Sequence, residues 1–295
     1  MTNLLDTQAI TDRFSQHGYV LDDELATILF LMLRLGKPLL LEGQPGVGKT
    51  EVANVLAAAL GTQLIRLQCY EGLDVHSAVY EWNYQKQLLS IKIQENSGRS
   101  EEEKEQHIFG EEFLLKRPLL QSITSEQPQV LLIDEIDRAD EEFEAFLLEL
   151  LSAYQISIPE LGTIKASSRP LVILTSNRTR ELSDALKRRC LYHWVHFPDM
   201  DKELQIVQRH LPDIEPALAQ NLVRLVQHLR SRKLDKTPGI AETLDWARAL
   251  NALGYRSLEK SGIEKSLGCV LKSAADIEKL KAEGVENLLA ELEMV

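Results

Sequence analysis

Eight residues constrain this chain more than any others. Gly43-Gln-Pro-Gly-Val-Gly-Lys49-Thr50 follows the apolar run from Pro38 to Leu41 and opens a segment in which Val52, Val55, Leu56, Ala59 and Leu60 form one helical stripe closed by Gly61. A glycine-rich turn between a strand and a helix wraps closely enough to aim backbone N–H groups at phosphate, and the helix N-terminus adds a field that favours negative charge. An incidental glycine turn would carry neither both flanks nor the Lys-Thr pair. The expected cradle comprises Gly43, Pro45, Gly46, Val47, Gly48, Lys49, Thr50 and Glu51, with Lys49 on the β and γ phosphates of ATP and Thr50 on magnesium.

A magnesium nucleotide needs a second carboxylate, and hydrolysis needs a base for water. Leu131-Leu-Ile-Asp134-Glu135 offers both: Asp134 as the second magnesium partner with Thr50, and Glu135 placed to polarise water. The same acids could instead cap the next helix, a weaker reading beside so complete a first motif. Asp137 and Arg138 stay open between capping and a subunit contact. Leu171-Val-Ile-Leu-Thr-Ser-Asn177 sets Asn177 beyond the carboxyl end of a central strand, to hold the attacking water or to sense the γ-phosphate. Lys187, Arg188 and Arg189 end a short helix before the fifth strand, where cations also complement the helix dipole.

Strands are expected at Pro38 to Leu41, Leu64 to Gln68, Val130 to Asp134, Leu171 to Thr175 and Leu191 to Phe197. They alternate with helical patterns, as in parallel α/β folds. The 61 residues between Gln68 and Val130 exceed one crossover helix, so an extra subelement is expected within about 69–129. Within it, Ser97 to Gln106 reads as a mobile charged loop. Tyr80, Trp82 and Tyr84 alternate as in a half-buried strand, either as a local core or as an exposed contact. Beyond Pro198 the pattern is helical: Lys202 to His210, Pro216 to Leu229, Glu242 to Leu253 and Asp276 to Leu292, with a loop from Lys233 to Gly239. The division expected is an α/β domain over 1–198 and a helical domain over 199–295.

The formal charge of −12 and pI near 5.2 disfavour bulk nucleic-acid binding. The longest apolar stretch, Ala26 to Leu33, falls short of a bilayer span, and the first basic residue is Arg13, so no transmembrane segment or leader is expected and the cytoplasm is the default. Cys69, Cys190 and Cys269 lack framework or zinc spacing. His193 and His196 are three apart on a strand and point to opposite faces, against a shared metal.

Taken in order, the Walker A segment (Gly43 to Thr50), the Walker B segment (Leu131 to Glu135), a sensor 1 position (Asn177), the cations before strand five and a helical lid resemble an AAA+ ATPase. The insertion after strand two and a shorter one at Ser157 to Ser168 resemble the MoxR branch. Gln68-Cys-Tyr-Glu-Gly-Leu-Asp74, Tyr80-Glu-Trp-Asn-Tyr-Gln-Lys86, Leu132 to Glu144 and Leu174-Thr-Ser-Asn-Arg-Thr-Arg180 are similar to CoxD-type proteins. The resemblance implies a three-layer P-loop domain with a five-stranded parallel sheet and a helical lid. It also implies a hexamer with Arg189 as arginine finger and Arg188 in reserve, and a partner with a von Willebrand factor A domain. The implied activity is ATP-driven maturation of a metalloenzyme client, a molybdenum hydroxylase of the carbon monoxide dehydrogenase type. The alternative is a nucleotide-gated scaffold with little turnover. The sensor 2 arginine of MoxR relatives has no counterpart in Gly239-Ile-Ala-Glu-Thr243; Arg248 is five residues on, about 500° around a helix and so on another face.

Overall fold

The computed structural model describes residues 6–94 and 107–293. In chain order its elements begin with α1 (Thr7–Gln16), α2 (Asp23–Leu35), β1 (Leu39–Gly43), α3 (Lys49–Leu60), β2 (Leu64–Gln68), α4 (Val75–Val79), β3 (Tyr80–Trp82) and α5 (Tyr84–Gln94). There follow β4 (Leu114–Lys116), α6 (Pro118–Thr124), β5 (Val130–Asp134), α7 (Glu141–Ala153), β6 (Gln155–Ile158), β7 (Gly162–Lys165), β8 (Leu171–Ser176), α8 (Asp184–Arg189) and β9 (Leu191–Val195). The chain ends with α9 (Met200–His210), α10 (Pro216–Ser231), α11 (Ile240–Ala252), α12 (Lys260–Val270), α13 (Ala274–Glu283) and α14 (Val285–Glu293). Two compact units form. One holds residues up to Thr7, Glu24–Glu42 and Thr50–Trp194; the other holds Gln8–Asp23, Gly43–Lys49 and the chain from Val195.

The first unit is built on a five-stranded parallel sheet in the order β2-β5-β8-β1-β9. β1, β5 and β8 are buried along their whole length, which explains their unbroken apolar runs: a parallel strand covered on both faces has no solvent side to mark with polar residues. β2 lies at the edge and alternates instead, with Ile65 and Leu67 buried and Arg66 and Gln68 exposed. Phe143, Leu147 and Leu150 of α7 pack on the same core as Leu131, Ile133, Val172 and Leu174.

Between β2 and β5 the extra subelement is an antiparallel ribbon, β3 against β4, flanked by α4, α5 and α6. Tyr80 and Trp82 are buried, the Trp82 ring lying 5.4 Å from Phe109 and 6.0 Å from Tyr80, and both join the core that also holds Leu131 and Leu174 of the main sheet. The alternation stops before Tyr84. Asn83 Oδ1 accepts the Lys86 N–H at 3.0 Å and starts α5, leaving Tyr84 exposed. Ser97 to Gln106 lie outside the described residues. The shorter insertion is the β6-β7 hairpin.

In the second unit α9 to α14 share a core that includes Leu218, Leu222, Leu225, Trp246 and Ile263. Two sequence expectations change here. The helix from Asp276 to Leu292 is interrupted at Gly284, whose φ of 86° ends α13. α12 was not expected, since Gly262 and Gly268 dilute its helical signal. Beneath the start of α11 lies a buried ion pair, Glu203 to Arg230 at 2.5 Å, and the Thr243 hydroxyl donates to Glu203 at 2.7 Å.

Candidate functional site

Within the first unit, the carboxyl ends of β5 and β8 meet the first turn of α3. Thr50 Oγ1 donates to Asp134 Oδ1 at 3.1 Å, and Thr175 Oγ1 donates to the same oxygen at 2.5 Å. Thr175 also accepts the Glu135 N–H at 2.9 Å, so one buried hydroxyl fixes both acids. Glu135 sits in the left-handed region at φ 55°, ψ 49°, a conformation that costs a non-glycine residue about 1–2 kcal/mol and turns its side chain off the strand axis. Its carboxylate accepts from Asn177 Nδ2 at 3.3 Å and Gln68 Nε2 at 3.1 Å, and pairs with Arg138 Nε at 2.9 Å.

Three residues at this cluster escaped the sequence reading. Arg66 Nη2 lies 2.5 Å from Asp134 Oδ2 and 2.6 Å from Gln68 Oε1. The signal for Arg66 and Gln68 was their period-2 placement on β2, but only the register, with Gln68 opposite Asp134, brings them to the acids. Thr175 lay unremarked in the sensor strand. Asp137, buried, accepts the N–H of Asn177 at 3.2 Å and of Thr179 at 2.8 Å, so it shapes the turn carrying Asn177. Arg138 spends its guanidinium on Glu135.

The Cys69 thiol beside these carboxylates is raised. Burial is the first cause, followed by the negative charges of Asp134, Asp137 and Glu135, and together they push it up to about 12. A neutral thiol is no nucleophile or metal ligand here.

In the second unit, Lys49 Nζ donates to the carbonyls of Gly43 and Gln44, each at 2.8 Å, across the turn formed by Pro45 to Gly48. A side chain on Gly43 would collide with the Val195 carbonyl. Gly46, at φ 79°, receives the Ile240 N–H on its carbonyl at 2.9 Å, and a Cβ at Gly239 would come within 2.7 Å of Gly46 Cα. Both positions therefore demand glycine. Glu51 stands apart, accepting from Asn54 at 2.8 Å.

Residues 38–190 match the family profile described as AAA domain (dynein-related subfamily). The chain belongs to that family. An uncharacterized protein of Staphylococcus haemolyticus is 27% identical over 225 residues, 74% of this chain and 77% of the relative. One of Staphylococcus epidermidis (strain ATCC 35984) is 27% identical over 226 residues, with the same shares. Among solved structures, two mutants of Thermotoga maritima RuvB share the fold with TM-scores of 0.51 and 0.52, at 19% and 18% identity, over 85% of this chain and 70% of theirs.

On this AAA domain, Arg188 and Arg189 close α8, both exposed. Arg189 donates to the Ser152 hydroxyl, whereas Arg188 makes no hydrogen bond or ion pair with a described residue. Arg248 pairs with Asp245 at 3.1 Å on the surface of α11. The Thr50 hydroxyl and the Asp134 carboxylate are hard oxygen donors of the kind magnesium takes, so the residues fit that ion. Among the described residues no helix is long and apolar enough to cross a membrane.

Proposed function

We propose that this chain is a cytoplasmic ATPase of the MoxR type, CoxD-like, which couples hydrolysis to remodelling of a metalloenzyme client. The observation that carries the hydrolytic reading is the meeting of Glu135 and Asn177, 3.3 Å apart, beside an Asp134 that shares a hydrogen bond with Thr50. The backbone of Gly43 to Gly48 would hold the phosphates, helped by the Lys49 ammonium, which exchanges its loop carbonyls for phosphate oxygens. Thr50 and Asp134 would hold magnesium, which would supply positive charge against the negative charge of the phosphates. Glu135, turned off its strand and steadied by Asn177, would take the proton of the attacking water. An arginine finger from a neighbour in a ring, Arg189 with Arg188 in reserve, would complete the site.

The von Willebrand factor A partner rests on the resemblance to the MoxR branch, and the maturation of a molybdenum hydroxylase on that of Gln68 to Asp74, Tyr80 to Lys86, Leu132 to Glu144 and Leu174 to Arg180 to the CoxD type. Among the apolar side chains that the described part of the insertion offers such a client are Tyr84, Leu88, Leu89, Ile91 and Ile93 of α5, all exposed, whereas Trp82 is buried. The experiment is phosphate release from the purified chain and its Glu135→Gln variant, with ATP binding measured in parallel. Binding by both with turnover in the wild type alone supports hydrolysis. Equal rates would leave the nucleotide-gated scaffold as the reading.

A further inference from the structure

Asp134 is almost entirely buried, its side chain 4% exposed, and a lone carboxylate at that depth is costly. Its charge is met by Arg66, half in solvent at 51% exposure, whose Nη2 sits 2.5 Å from Oδ2. The same nitrogen donates to Gln68 Oε1 at 2.6 Å, while Gln68 Nε2 donates to Glu135 Oε2 at 3.1 Å. One guanidinium therefore touches one acid directly and the other through an amide. The link follows from the strand: Arg66 and Gln68 are two apart on one face of β2, and the register sets Gln68 opposite Asp134. A divalent ion held by Thr50 and Asp134 draws on the carboxylate that Arg66 now neutralises, and two cations on one carboxylate repel.

We propose that Arg66 is an internal counter-ion for Asp134 that magnesium must displace, and that its departure frees Gln68 and so loosens one of the three contacts on Glu135, those of Asn177 and Arg138 remaining. This rests on the ATPase reading above. Arg66 is a positioning residue: it keeps the buried acid paired in the metal-free chain and ties the state of Glu135 to the arrival of the ion.

Manganese binding tests it, read by electron paramagnetic resonance on the full chain with ADP. Fluorescent ADP binding in EDTA and a thermal melt serve as controls. Removing the competing charge in Arg66→Gln should tighten manganese roughly tenfold, with nucleotide affinity in EDTA changed less than about twofold. Arg66→Lys keeps the charge but loses the fork to Gln68, and should tighten it about threefold. Manganese binding equal to or weaker than wild type in a normally melting Arg66→Gln chain overturns the proposal. If that variant melts early, an unchanged constant in Arg66→Lys overturns it instead. A wild-type chain that binds neither manganese nor ADP would sink the ATPase reading itself, whereas wild-type binding with unmoved variants sinks only the role of Arg66.

Discussion

Asn177 Nδ2 donates to Glu135 Oε1 across 3.3 Å, joining the residue after β8 to the left-handed corner after β5. An amide in that place gives the carboxylate direction without taking its charge. Asn177→Ala is therefore expected to lower ATP turnover by about 10²-fold, the cost of a misaimed base, with ATP affinity nearly unchanged. Asn177→Asp should do worse, because two carboxylates would face each other. A parallel loss of ATP affinity in single-turnover and binding measurements would instead assign Asn177 to the nucleotide.

Trp82 is 7% exposed and packed edge-on between Tyr80 and Phe109. Trp82→Glu is expected to cost at least the ~3–5 kcal/mol of a large core deletion, plus desolvation of the new charge. A thermal melt should show the loss before any client assay does. Leu88→Glu, on an exposed position of α5, should leave the melt within about 0.5 kcal/mol of wild type. An undisturbed melt for Trp82→Glu would contradict the buried placement.

Cys69 and Cys190 both have thiols pushed up to about 12 from 9.0, by burial first and, for Cys69, by Asp134 and its acidic neighbours. Well below pH 9 these thiols are protonated folded or unfolded and contribute no pH dependence. Between pH 9 and 12 the unfolded chain releases protons that the folded chain keeps, so stability falls by up to about 1.4 kcal/mol per pH unit per thiol. Urea unfolding at pH 8.5 and pH 10.5 measures it. The Cys69→Ala, Cys190→Ala double variant should show the shallower decline. Both thiols should also resist a disulfide reagent at pH 8 until the chain is unfolded.

Much of this was legible in residues whose environment is set locally. β5 reads as buried because nothing polar interrupts Val130 to Ile133; Asp134 at its end is buried too, and its charge is met by Arg66. The turn from Gly43 to Thr50 is legible because its steric demands are met by few residues other than glycine. What escaped depends on partners distant in sequence or on weak local signals. Arg66 looks like an ordinary solvent-facing residue of an edge strand until the register brings Asp134 beside it. α5 offered no apolar stripe to read: its one buried described side chain is Gln87, which donates to the Ile108 carbonyl at 2.7 Å, while its leucines face solvent. Tyr84 continued an alternation that Asn83 had already ended.

Which of Arg189 and Arg188 serves the proposed arginine-finger role can be measured. A finger must leave its own subunit's surface to reach a neighbour's phosphate, and Arg189 donates to Ser152 of its own chain, whereas Arg188 carries no such bond to a described residue. If Arg189 is the finger, the Ser152 contact is a resting place on an exposed hydroxyl, worth little and readily exchanged. Arg189→Ala should then cut turnover by ~10³ or more with ATP binding retained, and Ser152→Ala should leave turnover within about twofold. Rings mixed from Arg189→Ala and Lys49→Ala chains should regain activity, because an intact Lys49 in one subunit can face an intact Arg189 in the next. Should Arg189→Ala and Ser152→Ala lose turnover and melting temperature together, Arg189 is a structural tie of α8 to α7. Arg188→Ala, tested in the same mixed rings, is then the variant whose loss must be rescued by Lys49→Ala chains.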